Sequence, residues 1–124
     1  QQMQIKAISD KVLLESRRDV LRIHLYLKLV EYGIKPFEND INIMIELYLF
    51  GGYSNIEEQS RFIGICINKN LKKSVQSVRN TLSKYVAAGV FSKPRNASLY
   101  INEKFIPTIV CDKLVLMHTV SHAE

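Results

Sequence analysis

The stretch KKSVQSVRNTLSKYVAAGV, residues 72–90, concentrates the side chains with the most chemistry to offer. Its polar positions are filled by cations (Lys72, Lys73, Arg79, Lys84), amides (Gln76, Asn80) and hydroxyls (Ser74, Ser77), without a single acid. Carboxylates would offset these cations and add ion pairs at i,i+4 spacing. Their absence leaves a face suited to a polyanion. The bias extends outward. From Gln59 to Asn102 there is no Asp or Glu, while Arg61, Lys69, Lys93 and Arg95 join the cations already named. The formal net charge is +5, from 17 Lys and Arg against 12 Asp and Glu. The remainder of the chain is therefore net acidic, and this segment owns the whole positive excess. Taken singly, each lysine reads equally well as a solvated surface residue. The clustering is what favours nucleic acid or an anionic surface as partner.

Other constellations carry less. Glu57 and Glu58 are adjacent in a first helical turn, where they favour the helix dipole. His118-x3-His122, with Cys111 and His24 elsewhere, lacks the short-spaced cysteine pair of a closed four-ligand zinc site. FGGYSN, residues 50–55, has no Walker lysine, and no G-x-S-x-G nucleophile motif occurs. No enzymatic activity, metal, cofactor or small-molecule substrate is therefore expected. RNA binding would need exposed aromatics on a hairpin, for which only Phe91 and Tyr100 are available.

The chain of 124 residues, 47% hydrophobic, suits one domain spanning 1–124 with a core of ordinary size. Charges break every apolar run well short of a bilayer span, so no membrane partner is expected. Gln1 to Asp10 is polar and lacks the apolar region of a signal peptide. Cys66 and Cys111 sit among isoleucines and valines and read as buried free thiols, a disulfide between them being the alternative. A cytoplasmic protein of a bacterial cell or a phage-infected host is expected. Richness in Ile, Lys and Asn is consistent with an AT-rich coding genome.

Three helices are needed to position the basic stretch. Residues 10–35 carry two patterns at once. Leu21, Ile23, Leu25, Leu27 and Leu29 alternate with polar residues as in a strand, yet the segment is long and leucine-rich. Gly33-Ile34 forms a left-handed helix stop, which favours a helix ending near Tyr32. ENDINIMIELYLFGG predicts a helix starting at Asn39 or Asp40, with Ile41, Met44, Ile45, Tyr48 and Leu49 inward and Gly51-Gly52 ending it. Ser54 and Glu57 predict a capping box for a short helix burying Ile56, Ile63 and Ile67. NKN, residues 68–70, is turn material. The basic helix is predicted over about 71–88, with Leu71, Val75, Val78, Leu82 and Val86 as its buried stripe and Gly89 as its stop. VFSKP and SLYIN then predict a small hairpin around Arg95-Asn96-Ala97. The apolar segment 105–120 must fold back or meet another subunit.

Ser74-Val75, Val78, Leu82, Val86 and Gly89-Val90-Phe91, followed by SKPRNASLYIN, resemble a winged helix-turn-helix domain. The likeness is to MarR-like regulators and related replication-initiator and phage domains, and it covers about residues 37–102. The hairpin is shorter than many wings, and INKNLKKS replaces the usual glycine-containing turn. The resemblance implies a mainly α fold with a small β-hairpin, an extra N-terminal element (10–35) and a C-terminal extension (103–124). It also implies double-stranded DNA as partner, with residues 71–88 as recognition helix. The implied contacts are Lys69, Lys72, Lys73, Ser74, Gln76, Ser77, Arg79, Asn80, Lys84, Lys93 and Arg95. Arginine can pair both acceptors of guanine, and Gln or Asn can pair adenine, while lysines and serines suit phosphates. About five phosphate contacts would give log K a salt slope of roughly −4.5. A homodimer or larger assembly through residues 10–32 and 105–120 would match a palindromic site. The alternative role is a structural or assembly protein, such as a phage particle component, that uses the same fold for protein contacts.

Overall fold

Leu21, Leu25 and Leu29 stand four residues apart and are buried, together with His24, whereas Ile23 and Tyr26 are half exposed. That pattern follows 100° per residue and not the two-residue repeat of a strand, and residues Asp10–Glu31 form one helix, α1. Its end is the expected one. Gly33 takes φ +73°, and the Ile34 amide donates to Leu29 O at 2.8 Å, closing the last turn. The computed structural model describes residues 10–110 and 113–115, with side chains described over residues 17–107.

α2 (Glu38–Phe50) is the centre of the core. Ile41, Ile43, Met44, Ile45 and Leu47 are all buried, so this helix is enclosed on nearly every side and has no single inward stripe. Leu49, expected inside, is 49% exposed. The helix starts at Glu38 behind Phe37, which provides no side-chain cap. Asp40 lies within the first turn as a buried residue, not as the predicted cap.

α3 (Ile56–Asn68) is capped one residue later than the sequence suggested. Asn55 Oδ1 accepts from the Glu58 amide at 2.8 Å. The Glu58 carboxylate in turn accepts from the Ser54 amide at 2.8 Å, which keeps the logic of the capping box in a shifted register. The shift rotates the buried face to Phe62, Ile63 and Cys66 and leaves Ile56 in solvent, 68% exposed. Burial, then the nearby Glu46 charge, push the Cys66 thiol up to about 12, so it remains protonated and unreactive at neutral pH. Asn70 then takes the left-handed conformation, φ +62°.

α4 (Val75–Ala87) begins four residues beyond the expected start, because Ser74 Oγ accepts the Ser77 amide at 3.1 Å and fixes the first turn there. Its buried face is Val78, Thr81, Leu82 and Tyr85, while Val75 is half exposed. Gly89, at φ +83°, ends it as expected.

β1 (Phe91–Ser92) and β2 (Tyr100–Ile101) pair antiparallel, Phe91 opposite Ile101. Tyr53, in the α2–α3 connection, forms an isolated antiparallel bridge with Leu99, through mutual bonds of 2.9 and 2.8 Å. This extra backbone pairing roots the hairpin on the helices. A 3-10 turn (Glu103–Phe105) follows, its Phe105 ring 5.1 Å from that of Tyr32. β3 (Thr108–Val110) and β4 (Lys113–Val115) form a second antiparallel pair, with β4 against α1. The architecture is thus mainly α with small antiparallel hairpins. Among the described residues no helix is long and apolar enough to cross a membrane. Cys111, His118 and His122, and much of the apolar segment 105–120, lie outside the described residues.

Gly52 tests the importance of the hairpin root. It has φ +75°, and a Cβ there would lie 2.8 Å from Leu99 O and 2.2 Å from the Tyr100 ring. Gly51, φ +87°, faces open space. Gly51→Ala is expected to cost about 1 kcal/mol and Gly52→Ala about 2–4 kcal/mol, as read by urea denaturation. Equal costs would remove the case for close packing at Gly52.

Candidate functional site

The polar residues of α4 and its flanks divide into three groups, and one buried carboxylate draws the first boundary. Asp40 is 5% exposed. The Tyr85 hydroxyl donates to its Oδ2 at 2.5 Å, Lys84 Nζ lies 3.5 Å from the same oxygen, and Lys72 Nζ lies 3.3 Å from Oδ1. The Lys84 ammonium also sits 4.7 Å from the centroid of the Phe37 ring. A carboxylate so far out of water requires partners of this kind. Burial first, then the hydrogen bond and charge of Asp40, hold the Tyr85 phenol well above its ordinary range, so it stays a donor.

The second group is the outward face. Gln76 and Asn80 are exposed one helical turn apart, and Gln76 Nε2 donates to Asn80 Oδ1 at 2.9 Å. Lys73 is exposed just ahead of the Ser74 cap. Ser74 Oγ is engaged by the Ser77 amide, and Ser77 O accepts from Thr81 Oγ1 at 3.1 Å. Both serines therefore shape the start of the helix.

The third group lies towards the hairpin. Arg79 and Ser83 of α4 and Lys93 after β1 line a cleft of about 280 Å³ with Tyr53 and Gln59, over a floor that includes Leu82, Val86 and Leu99. Gln59 Nε2 donates to the Tyr53 hydroxyl at 3.4 Å. Burial raises the Tyr53 phenol above its usual value, against the opposing pull of the Gln59 hydrogen bond and the Arg79 charge. Among the described residues no carboxylate lies within ion-pair distance of Arg79 or Lys93.

Two expected residues stand apart. Lys69 is turned to Glu46 of α2 at 3.2 Å, a carboxylate that also holds Arg18 at 3.0 Å. Arg95 is exposed at the hairpin turn, where its amide donates to Ser98 Oγ at 2.8 Å and its carbonyl accepts from the same hydroxyl at 2.7 Å. Of the expected cations, Lys73, Arg79, Lys93 and Arg95 thus have no ion pair among the described residues, while Lys69, Lys72 and Lys84 are engaged with carboxylates. Sequence reasoning missed Asp40, Tyr53, Gln59 and Ser83. Asp40 gave little signal, because Glu38, Asn39, Asn42 and Glu46 share its helix and it read as a helix start. Among the described residues no group of three His, Cys, Asp or Glu is placed to hold a metal ion. No protein-family model, curated protein or solved structure matches this chain.

The Tyr85–Asp40 bond is open to direct measurement. Tyr85→Phe removes the buried donor and leaves Asp40 with its two lysines. A loss of about 1–3 kcal/mol in unfolding free energy is expected. An unchanged urea midpoint would mean that the bond contributes nothing.

Proposed function

We propose that the chain is a winged-helix protein that binds double-stranded DNA through the exposed face of α4, as a transcription regulator or a replication or genome accessory factor. The order α2, α3, α4, hairpin supports the winged-helix reading. So does the Tyr53–Leu99 bridge, which adds a short third backbone segment beside β2. α3 and α4 form the helix-turn-helix, and the β1–β2 hairpin is the wing. The observation that carries the DNA reading is the charge left unpaired: among the described residues, Lys73 and Arg79 by α4 and Lys93 and Arg95 on the hairpin have no carboxylate within ion-pair distance, and Gln76 and Asn80 are exposed on the same helix.

The Gln76–Asn80 pair has a specific use. With one Gln76 hydrogen already given to Asn80 Oδ1, the pair still presents Gln76 Oε1 as acceptor and Asn80 Nδ2 as donor. Adenine offers the complementary edge, N6 donating and N7 accepting. Arg79 suits guanine or a phosphate, and Lys73 a phosphate. Lys72 and Lys84 are the reserve, since a phosphate would have to draw them from Asp40.

The test is a salt titration of duplex binding. Lys73→Glu with Arg79→Glu is expected to abolish retention on duplex DNA. Asp40→Asn keeps an acceptor for Tyr85 but releases both lysines, so the slope of log K against log salt is expected to steepen by up to about 1.8. Duplex binding unchanged by the double charge reversal would overturn the reading.

A second reading, a protein-contact module in a larger assembly, is favoured by α1. Ile23, Tyr26 and Val30 are each at least half exposed and follow three- and four-residue spacing, which makes an apolar stripe. A homodimer through this stripe suits either role. Sedimentation is expected to show association that rises with concentration and is lost in Tyr26→Glu. A monomer at every concentration would remove the dimer.

A further inference from the structure

The cleft between α4 and the hairpin has a composition that a plain phosphate-contact surface does not require. Its two cations, Arg79 and Lys93, come from different elements and converge with no acid in the lining. Its floor is aliphatic, through Leu82, Val86 and Leu99. On the α3 side it is closed by the Tyr53 hydroxyl and the Gln59 amide, and Ser83 offers a further hydroxyl. Concave sites where apolar side chains meet a few convergent polar groups are the usual form of a small-ligand pocket, and this one is a cleft half open to solvent.

We propose that this cleft is a binding site for a phosphomonoester joined to an apolar or planar body, with the phosphate held by Arg79 and Lys93. Charge selects this class. Two cations without a counter-acid are matched by a group of charge close to −2, which a phosphomonoester carries near neutral pH and a carboxylate does not. The guanidinium can make paired hydrogen bonds to phosphate oxygens, and the ammonium adds a point charge. Volume selects the body: about 280 Å³ exceeds what an inorganic phosphate fills, and the aliphatic floor receives a base or sugar face. The Tyr53 hydroxyl accepts from Gln59 and keeps its own hydrogen to donate to such a ligand.

The same chemistry has two sources, a free nucleotide or the 5′-phosphorylated end of a DNA strand. Arg79 and Lys93 also belong to the proposed duplex surface, so the test begins without a duplex. Calorimetric titration with thymidine 5′-monophosphate is expected to saturate, with inorganic phosphate weaker and thymidine without effect. Arg79→Gln and Lys93→Gln, both at exposed positions, should each weaken the nucleotide about tenfold or more. Arg61→Gln, the same charge loss outside the cleft, should not. Circular dichroism of the three variants checks that the fold is kept. Titration with a short duplex, with and without a 5′-phosphate, then separates the sources: a preference for the phosphorylated end assigns the site to strand termini, and no preference assigns it to free nucleotides. Absence of saturation with the nucleotide, binding of thymidine as tight as its phosphate, or equal weakening by Arg61→Gln would overturn the proposal. None of these results bears on internal duplex contacts, which the salt titration measures separately.

Discussion

Asp40 places a negative charge where water scarcely reaches, and much of the arrangement around α4 follows from the need to satisfy it. Its carboxylate belongs to the first turn of α2, the most enclosed helix, while the hydroxyl that binds it belongs to the last turn of α4. One bond of 2.5 Å thus spans 45 positions of sequence and fixes how α4 lies on the core. Charge-assisted hydrogen bonds of this kind are stronger and more directional than neutral ones, and a buried acid without them would be strongly destabilising. Lys72 and Lys84 complete the shell from positions before and within α4.

That satisfaction divides the basic segment. A row of cations with no acid nearby in sequence is not the same as a row with no acid nearby in space. Asp40 and Glu46, both from α2, pair with Lys72, Lys84 and Lys69, and among the described residues the expected contact cations left unpaired are Lys73 ahead of α4 and Arg79, Lys93 and Arg95 towards the hairpin. Among the described residues the polar surface is therefore lopsided: a compensated flank beside α2, an amide pair with Lys73 in the middle, and cations without an acid partner beside the hairpin.

Much of this was legible in the sequence. Helix stops at Gly33, Gly51 and Gly89 follow from backbone conformations that only glycine adopts cheaply, and all three lie where expected. The hairpin was announced by its β-rich flanks and turn residues. The helix starts were less legible, because Ser54 and Asn55 compete as caps for α3, and α4 starts behind Ser74 and not at Leu71. Ile56 and Val75 are each the first residue of their helix and are left in solvent. The pairing of Asp40 with Tyr85 could not be read, since it links distant residues that share no local pattern. Nor could the Tyr53–Leu99 bridge, whose strand on one side is a single residue long.

The hairpin has an anchored base and an open turn. At the base, Tyr53 and Leu99 exchange backbone bonds and Gly52 makes room for Tyr100. At the turn, Ala97 accepts a positive φ of 57° and one serine hydroxyl closes Arg95 to Ser98. Mechanical support therefore comes from below, from Ser98 and Leu99, while Lys93, Pro94, Arg95 and Asn96 at the tip are exposed. Lengthening the tip would extend its reach like a longer finger on the same knuckle, so related chains could diverge in span at this point while keeping one interior.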